Sequence, residues 1–338
     1  MEIIKLLGKG SFGSVNLVKF TDAGGDSVYT AMKTSSREDA ESLFKEFGIL
    51  SKFRGCPRIV QCYGDSLMQA ETEEGHQEFR MFMEYASGGT LIDLMCTRFN
   101  GDLPHQLIKE ITRMILEGLV FIHGHGYVHC DLKPTNILVF PREGNGTCRT
   151  TYEIKISDFG LSREAMKEDN EWSWYFPFIG TPSYMSPESV CEGRIGTELD
   201  LWSLGCIVLQ MFTGELPWSA SQRHYLRSFL ASGHAPIVPE TVPCDAREFI
   251  ETCLARNPEE RSSAAMLLEH PFLRQGEKKT GENIVGCAHR MPPPGFDVIP
   301  TRNQRICSLI SKTDEDSKLV LRSLELLAIS MLNGDLSS

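Results

Sequence analysis

The order of apolar and polar residues predicts short strands near the amino terminus and helices further along the chain. Residues 3–7 and 14–20 are strand-like, and a polar turn at 21–27 leads to a third strand. Between residues 103 and 123, apolar side chains recur with a helical period, which predicts a helix with one buried face. The apolar positions are Leu107, Ile108, Ile111, Met114, Ile115, Leu119 and Ile122.

Three regions follow from this pattern. Residues 1–85 combine strands with one helix, residues 86–273 are mainly helical, and residues 274–338 begin with a polar, proline-containing stretch. A helical period returns at about 314–333, with an apolar stripe made of Val320, Leu324, Leu327 and Met331. Because an isolated helix of this length is marginal in water, it either docks on the preceding domain or binds a partner.

Two hairpins are also predicted. Residues 69–78 are acidic and polar, which is typical of a solvated hairpin tip between two strands. Residues 137–140 and 153–156 form a short strand pair, and the polar residues 141–151 are expected to make a mobile surface turn.

Composition and charge exclude several classes of protein. The chain has 338 residues, 41% of them hydrophobic, which is enough for one large or two ordinary cores. A net charge of −11 argues against general binding to nucleic acid, which requires a basic face. No apolar run approaches the about 20 residues of a membrane span, and the amino terminus does not resemble a signal peptide. The 11 scattered cysteines favour reduced thiols, and therefore the cytoplasm and/or the nucleus.

Two polar segments contain the groups that phosphoryl transfer requires. His129-Cys130-Asp131-Leu132-Lys133-Pro134-Thr135-Asn136 is followed along the chain by Asp158-Phe159-Gly160. The reaction needs a carboxylate that orients the attacking hydroxyl and takes its proton, and oxygen ligands that hold magnesium on the nucleotide phosphates. Asp131 supplies the carboxylate, and Asn136 and Asp158 supply the metal ligands. Their order matches the catalytic and magnesium loops of a protein kinase.

A glycine-rich run near the amino terminus predicts a loop over nucleotide phosphates. Its sequence is Gly8-Lys9-Gly10-Ser11-Phe12-Gly13-Ser14-Val15. Glycine allows backbone amides to approach phosphate oxygens without interference from a Cβ atom. The third strand then carries Lys33, whose ammonium group is placed to reach the α- and β-phosphates. Glu46 on the next helix is the best-placed partner for Lys33, and Glu41 is the alternative.

These motifs occur in the order found in eukaryotic Ser/Thr protein kinases, and the chain resembles that family from about residue 3 to residue 273. The resemblance implies an α+β, bilobal fold with a small, mostly-β lobe and a larger, mostly-α lobe. It identifies residues 180–188 as the loop that receives the residue after the phosphoacceptor. Asp200 is then expected to hold the catalytic-loop backbone, and Arg261 to form a buried ion pair with Glu188.

The resemblance also implies a site for ATP and Mg²⁺. Predicted contacts with ATP are Gly8, Lys9, Gly10, Ser11, Phe12, Gly13, Val15, Ala31, Lys33, Met83, Glu84, Ala86 and Leu138. The predicted metal ligands are Asn136 and Asp158, and the predicted catalytic residues are Asp131, Lys133, Lys33, Glu46 and Thr181. His123, His125 and His129 suggest a different metal site, but no carboxylate or cysteine spacing supports it, and His129 is expected to brace Phe159 in the core.

Three residues refine the resemblance. Lys133 and Thr181 are typical of kinases that phosphorylate Ser and Thr, since tyrosine kinases usually differ at both places. Cys130 departs from the family, in which an arginine usually precedes the catalytic aspartate and clamps a phosphorylated activation loop. A cysteine there predicts weaker dependence on loop phosphorylation. Aromatic residues within 169–178 are expected to order that loop instead.

The motifs His-Cys-Asp-Leu-Lys-Pro and Gly-Thr-Pro-Ser-Tyr-Met-Ser-Pro-Glu resemble most those of plant MAP kinase kinase kinases of the MEKK-like class. This implies a MAP kinase kinase as substrate and a place in a stress or hormone signalling cascade. The alternatives are a Ser/Thr kinase outside that cascade and a pseudokinase-type scaffold. The scaffold hypothesis is disfavoured because Lys33, Asp131, Asn136 and Asp158 are all present, and residues 180–188 argue against a kinase of metabolites.

Overall fold

A computed structural model describes residues 1–274, except 11–12, 23, 73–74, 102, 144–149, 166–179, 220–221 and 223–225. The predictions for Ser11 and Phe12, for the loop at 169–178 and for the helix at 314–333 therefore lie outside the described residues. The chain divides into two units. The small unit comprises Met1–Ser51 and Gln61–Tyr85, and the large unit comprises Lys52–Val60 and the described residues from Ala86 onward.

The small unit is one antiparallel sheet with a single helix. Its strands are β1 (Glu2–Gly10), β2 (Gly13–Thr21), β3 (Ser27–Ser36), β4 (Cys62–Glu71) and β5 (Gln77–Met83), in the order β1-β2-β3-β5-β4. Helix α1 spans Ala40–Lys52. The core of the sheet is a cluster formed by Val18, Phe20, Met32, Tyr63 and Phe82. By contrast, every residue of the edge strand β1 is exposed.

The large unit is mainly helical. Its helices are α2 (Leu91–Asp93), which continues as a π-helical turn at Leu94–Arg98, α3 (His105–Gly124), α4 (Pro187–Glu192), α5 (Glu198–Thr213), α6 (Leu226–Ala231), α7 (Cys244–Cys253) and α8 (Ala264–Leu267). Short 3₁₀ turns lie at Pro134–Asn136, Pro182–Tyr184, Pro258–Glu260 and Pro271–Leu273. Its strands are β6 (Tyr127–Val128), β7 (Ile137–Glu143), β8 (Thr150–Ile156) and β9 (Arg163–Glu164), where β6 pairs with β9 and β7 with β8.

The apolar pattern explains the two longest helices of the large unit. Helix α3 buries five of its seven predicted apolar positions, whereas Leu107 and Met114 are only half-buried. The buried five are Ile108, Ile111, Ile115, Leu119 and Ile122. Helix α5 is buried at every position from 199 to 211, so it is the central helix of this unit. Such all-round burial is typical of a helix that has neighbours on every side.

Two hairpins differ in length from the prediction. The turn predicted at 141–151 is wrong in its bounds, because β7 continues to Glu143 and β8 begins at Thr150. Arg142 donates to Glu153 across the pair, which explains how polar residues continue an exposed hairpin. The acidic turn predicted at 69–78 is also shorter, since β4 ends at Glu71 and β5 begins at Gln77.

This architecture is the predicted α+β, bilobal one, with a small β-sheet unit and a larger helical unit. Among the helices of the described residues, none has the length and apolar character needed to cross a membrane.

Candidate active site

In the small unit, the predicted ion pair of Lys33 is present. Lys33 lies on β3, between Val15 on β2 and Met81 on β5. Its Nζ atom lies 2.5 Å from Oε2 of Glu46 on α1. Glu46 belongs to the buried stripe of α1, whereas Glu41 is exposed at the start of the helix. The helical period therefore decides between the two candidates in favour of Glu46.

The glycine-rich turn contains one position where only glycine fits. Gly13 pairs with Gly10 at the end of the β1–β2 hairpin and has a φ of +145°. A Cβ atom there would lie 1.8 Å from the carbonyl oxygen of Thr34, which excludes any side chain. A Cβ atom at Gly8 or Gly10 would meet no atom within 4 Å. Packing therefore does not explain Gly8 and Gly10, and their role in contacting ATP stays a prediction.

Of the other residues predicted to contact ATP, some belong to the small unit and some to the large unit. In the small unit, Ala31 lies opposite Met83 on the neighbouring strand, and the backbone N–H of Glu84 donates to the carbonyl of Gln61 at 3.0 Å. In the large unit, the carbonyl of Ala86 accepts from Gly89 at 3.1 Å, and Leu138 lies on β7.

In the large unit, three side chains of the predicted catalytic set form one hydrogen-bonded triangle. Thr181 donates to Oδ1 of Asp131 at 2.7 Å, and Lys133 donates both to Oδ2 of Asp131 and to Thr181 Oγ1, each at 2.7 Å. Asp131 is buried, and the ammonium of Lys133 balances its charge. The arrangement holds a carboxylate and a cation in fixed positions beside one another, as transfer to a hydroxyl requires.

A buried carboxylate positions the backbone of this loop. Asp200, near the start of α5, accepts from the backbone N–H of His129 at 2.9 Å and from that of Cys130 at 3.1 Å. These bonds hold Cys130 at a φ of +67°, a left-handed conformation that is unusual for a residue other than glycine. Asp200 therefore holds the catalytic-loop backbone, as predicted.

His129 links the catalytic loop to the magnesium loop. It is fully buried, its ring lies 5.0 Å from that of Phe159, and its Nε2 atom lies 3.0 Å from the carbonyl of Ser157. Nδ1 accepts from the backbone N–H of Asp131 at 3.3 Å, so the hydrogen bonds require the tautomer protonated at Nε2. The predicted role of His129 as a brace for Phe159 agrees with these contacts.

The residues predicted to hold Mg²⁺ fit a hard cation that also binds phosphate. Asn136 donates through its amide nitrogen to the carbonyl and to Oδ2 of Asp131, at 2.8 and 3.2 Å, so the side-chain oxygen is the group that remains to bind a metal. Asp158 has a φ of +66° just before Phe159. Within the described ranges, no group of three His, Cys, Asp or Glu side chains forms a metal cage by itself. Few protein ligands are typical of Mg²⁺, which is usually shared with substrate phosphates.

The loop that contains Thr181 is anchored by buried polar contacts. Arg261 binds Glu188 through two bonds, of 2.6 and 2.9 Å, and both side chains are buried, as predicted. Tyr184 donates from its hydroxyl to Oε1 of Gln210 at 2.5 Å. Burial raises the pKa of Tyr184, which keeps the hydroxyl protonated and therefore able to donate.

Sequence reasoning missed two supporting residues. His123 was considered as a metal ligand, but its Nε2 atom lies 2.9 Å from Oδ2 of Asp200. Ser157 fastens the magnesium loop by donating from its backbone N–H and its hydroxyl to the carbonyl of Asn136, at 2.9 and 3.0 Å. The polar residue directly before Asp158 could have indicated the contact between Ser157 and Asn136. No local pattern connects His123 with Asp200.

Cys130 lies in an apolar environment. It is buried in a cluster with Val128 and Leu199. We expect Cys130→Arg to make activity depend strongly on phosphorylation, because a buried guanidinium group requires an anionic partner. The measurement is kinase activity before and after phosphatase treatment, with a thermal scan to show that the variant is folded. Cys96→Arg, at an exposed cysteine, is the control. Equal phosphatase sensitivity of wild type and Cys130→Arg would contradict the prediction.

The family profile described as Protein kinase domain matches residues 1–273. The chain belongs to the protein kinase family. Among relatives of this kinase, Mitogen-activated protein kinase kinase kinase 20 of Arabidopsis thaliana is 33% identical over 275 residues, covering 79% of this chain and 76% of the relative. Mitogen-activated protein kinase kinase kinase 3 of the same plant is 34% identical over 303 residues, covering 87% of this chain but 45% of the relative.

A third relative, Mitogen-activated protein kinase kinase 2 of Arabidopsis thaliana, is 30% identical over 287 residues, covering 81% of this chain and 72% of the relative. The kinase thus spans three quarters of some relatives and less than half of others. Together with the motifs, these relatives identify a protein Ser/Thr kinase that resembles plant kinases of the MEKK-like class.

Proposed function

We propose that this kinase transfers the γ-phosphoryl group of ATP to Ser or Thr hydroxyls of MAP kinase kinases. The observation that carries the chemistry is the triangle of Asp131, Lys133 and Thr181, in which all three bonds measure 2.7 Å. The names of relatives support the substrate class, because several are MAP kinase kinase kinases. A stress or hormone cascade in the cytoplasm and/or nucleus is the setting that we propose.

The large unit would act on the protein substrate. Asp131 orients the attacking hydroxyl and accepts its proton late in the transfer. Lys133 neutralises charge on the transferring group, and Thr181 fixes the carboxylate and the ammonium relative to each other. Most of the acceleration then comes from positioning and charge stabilisation, since no covalent intermediate on the protein is needed.

The remaining site residues would bind the nucleotide. Glu46 holds the ammonium of Lys33 for the α- and β-phosphates, and the backbone of residues 8–13 covers them. The carbonyl of Glu84 and the amide of Ala86 would hold the adenine edge, beside Val15, Ala31, Met83 and Leu138. Asn136 and Asp158 would hold Mg²⁺, which neutralises the charge of the phosphates when it is bound.

The test is transfer of labelled phosphate from ATP and Mg²⁺ by the wild type and by Lys33→Met. Each enzyme receives a kinase-dead MAP kinase kinase and, separately, a generic basic protein. We expect the wild type alone to label the MAP kinase kinase. Lys33→Met removes the ammonium group, which lies 2.5 Å from Oε2 of Glu46 and is proposed to bind the phosphates of ATP. Unchanged labelling by Lys33→Met would refute the assignment of Lys33.

Other outcomes select between the alternatives. Labelling of the generic protein alone would support a Ser/Thr kinase outside the MAP kinase cascade. A relative named as a MAP kinase kinase is about as similar as those named as MAP kinase kinase kinases, so this assay, rather than the names, decides the step within the cascade. Absence of labelling with intact nucleotide binding would favour the scaffold. An autoinhibited enzyme would give the same result, so the assay is then repeated without residues 274–338: appearance of activity would indicate autoinhibition, and continued inactivity would indicate the scaffold.

A further inference from the structure

Three side chains of the large unit form a hydrogen-bonded chain outside the catalytic triangle. Lys52 donates from Nζ to the hydroxyl of Tyr127 at 2.6 Å, and this hydroxyl donates to Oε1 of Glu164 at 3.0 Å. Tyr127 is buried and Glu164 is half-buried, whereas Lys52 is exposed, so the hydroxyl of Tyr127 joins a solvated cation to a partly shielded carboxylate. Hydrogen bonds to ionised groups are roughly twice as strong as neutral ones.

Packed aromatic rings connect these three hydrogen-bonded side chains to the magnesium loop. The ring of Phe53, which follows Lys52, lies 5.5 Å from the ring of Tyr127 and 5.5 Å from that of Phe159, with edge-to-face geometry in both contacts. Phe53 and Phe159 are both fully buried. A displacement of Tyr127 would therefore be transmitted through Phe53 to the residue that follows Asp158.

The same hydrogen bonds also hold strand β9, which follows the magnesium loop. Glu164 lies on β9 directly opposite Tyr127 on β6, and Arg163 lies opposite Val128. The carbonyl of Gly126 accepts from the backbone N–H of Ala165 at 2.7 Å. A two-residue pair of strands is weak by itself, so the side-chain bond between Tyr127 and Glu164 reinforces the pairing at the same position.

We propose that the hydroxyl of Tyr127 is a positioning group for the magnesium loop, which acts by joining Lys52 to Glu164 while its ring supports Phe53. With the hydroxyl in place, β9 is held on β6 and Phe159 is held by Phe53 and His129. Asp158, which lies between Ser157 and Phe159, is then fixed in its left-handed conformation. The proposal deepens the proposed function, because it rests on Asp158 as a ligand of Mg²⁺.

The first test is hydrogen–deuterium exchange of Tyr127→Phe without nucleotide or metal. This change removes the hydroxyl and keeps the ring on Phe53. Exchange of the backbone amides at 163–165 is expected to accelerate about ten-fold, because hydrogen bonds to charged groups are lost from the pair of strands. The control is Tyr29→Phe, at a tyrosine of β3 that is 47% exposed. Exchange in Tyr127→Phe equal to that in wild type would overturn the proposal.

The second test measures the Mg²⁺ concentration for half-maximal phosphorylation of whichever of the two proteins the wild type labels. In Tyr127→Phe we expect this Mg²⁺ concentration to rise about ten-fold, which is at the lower end of the loss of metal affinity seen when groups that orient metal ligands are removed. The kcat at saturating Mg²⁺ should approach the wild-type value. Lys52→Arg, which keeps a donor, should resemble wild type, and Lys52→Met should resemble Tyr127→Phe. A lower kcat with an unchanged Mg²⁺ requirement would overturn the positioning role.

The two tests separate this proposal from the proposed function. If the wild type lacks kinase activity, the proposed function fails, and the exchange rates at 163–165 still decide whether the hydroxyl fixes β9. If the wild type is active and both tests show no effect of Tyr127→Phe, only the positioning role fails. Combining Lys52→Met with Tyr127→Phe should add little to either single change, since both break one chain of bonds.

Discussion

Asp131→Asn is expected to reduce the rate of phosphoryl transfer by about 10²–10⁴-fold, the range typical of a lost general base. The side chain keeps its size and can still accept from Thr181, so the loop is expected to stay in place. It loses the negative charge that pairs with Lys133 at 2.7 Å and, in the proposed mechanism, the carboxylate oxygen that accepts the proton of the substrate hydroxyl. The measurement is the initial rate at saturating ATP and Mg²⁺, alongside a thermal unfolding curve.

A matched control is available within the large unit. Asp245→Asn changes a carboxylate on α7 that binds Lys109 at 2.9 Å, away from the catalytic triangle. We expect this variant to retain the wild-type rate. If Asp131→Asn were as active as Asp245→Asn, with both proteins folded, the assignment of Asp131 as the base would be wrong.

Arg261→Met is expected to lower the free energy of unfolding by about 3–5 kcal/mol, the cost of leaving one charge of a buried pair without its partner. Arg261 is fully buried and binds both carboxylate oxygens of Glu188. It also donates to the backbone carbonyls of Ala255 and Glu198, at 2.8 and 3.1 Å. Loss of the guanidinium group therefore leaves the buried carboxylate of Glu188 without this partner. It also removes the hydrogen bonds that connect Ala255 with Glu198.

Urea unfolding followed by tryptophan fluorescence measures this effect, since Trp202 lies 5.0 Å from the guanidinium carbon of Arg261. The informative control is Glu188→Gln combined with Arg261→Met. Because the double variant removes both charges, it should be less destabilised than the sum of the two single changes. If Arg261→Met lowered the free energy of unfolding by less than about 1 kcal/mol, the ion pair would contribute no more than a surface salt bridge does, and the prediction would be wrong.

Much of the fold and of the candidate site follows from local sequence. The helical period from residue 103 to residue 123 predicts α3, and glycine at position 13 predicts a tight turn for which the structure gives a steric reason. The spacing from Lys33 to α1 leaves Glu41 and Glu46 as candidates. Only the buried face of the formed helix selects Glu46, because that face depends on which side of α1 meets the sheet.

Contacts between polar side chains that are far apart in the sequence could not be predicted from local sequence patterns. His123 binds Asp200, and Lys52 binds Tyr127, but nothing in the sequence around either residue specifies its partner. The bounds of the β7–β8 hairpin were missed for a different reason. Its outer residues are polar because the hairpin is exposed, and cross-strand bonds such as Arg142 to Glu153 replace the apolar alternation that identifies a buried strand.

Strand β1 has a consequence for the behaviour of this kinase at high concentration. It is an edge strand, and its aliphatic side chains Ile3, Ile4, Leu6 and Leu7 are each at least 40% exposed. Exposed aliphatic edges are the usual starting points for sheet-to-sheet aggregation. The net charge of −11 opposes this over only about 8 Å at physiological salt. We therefore expect the exposed edge of β1 to promote association at high concentration, and a solubilising fusion partner next to this strand to reduce that association.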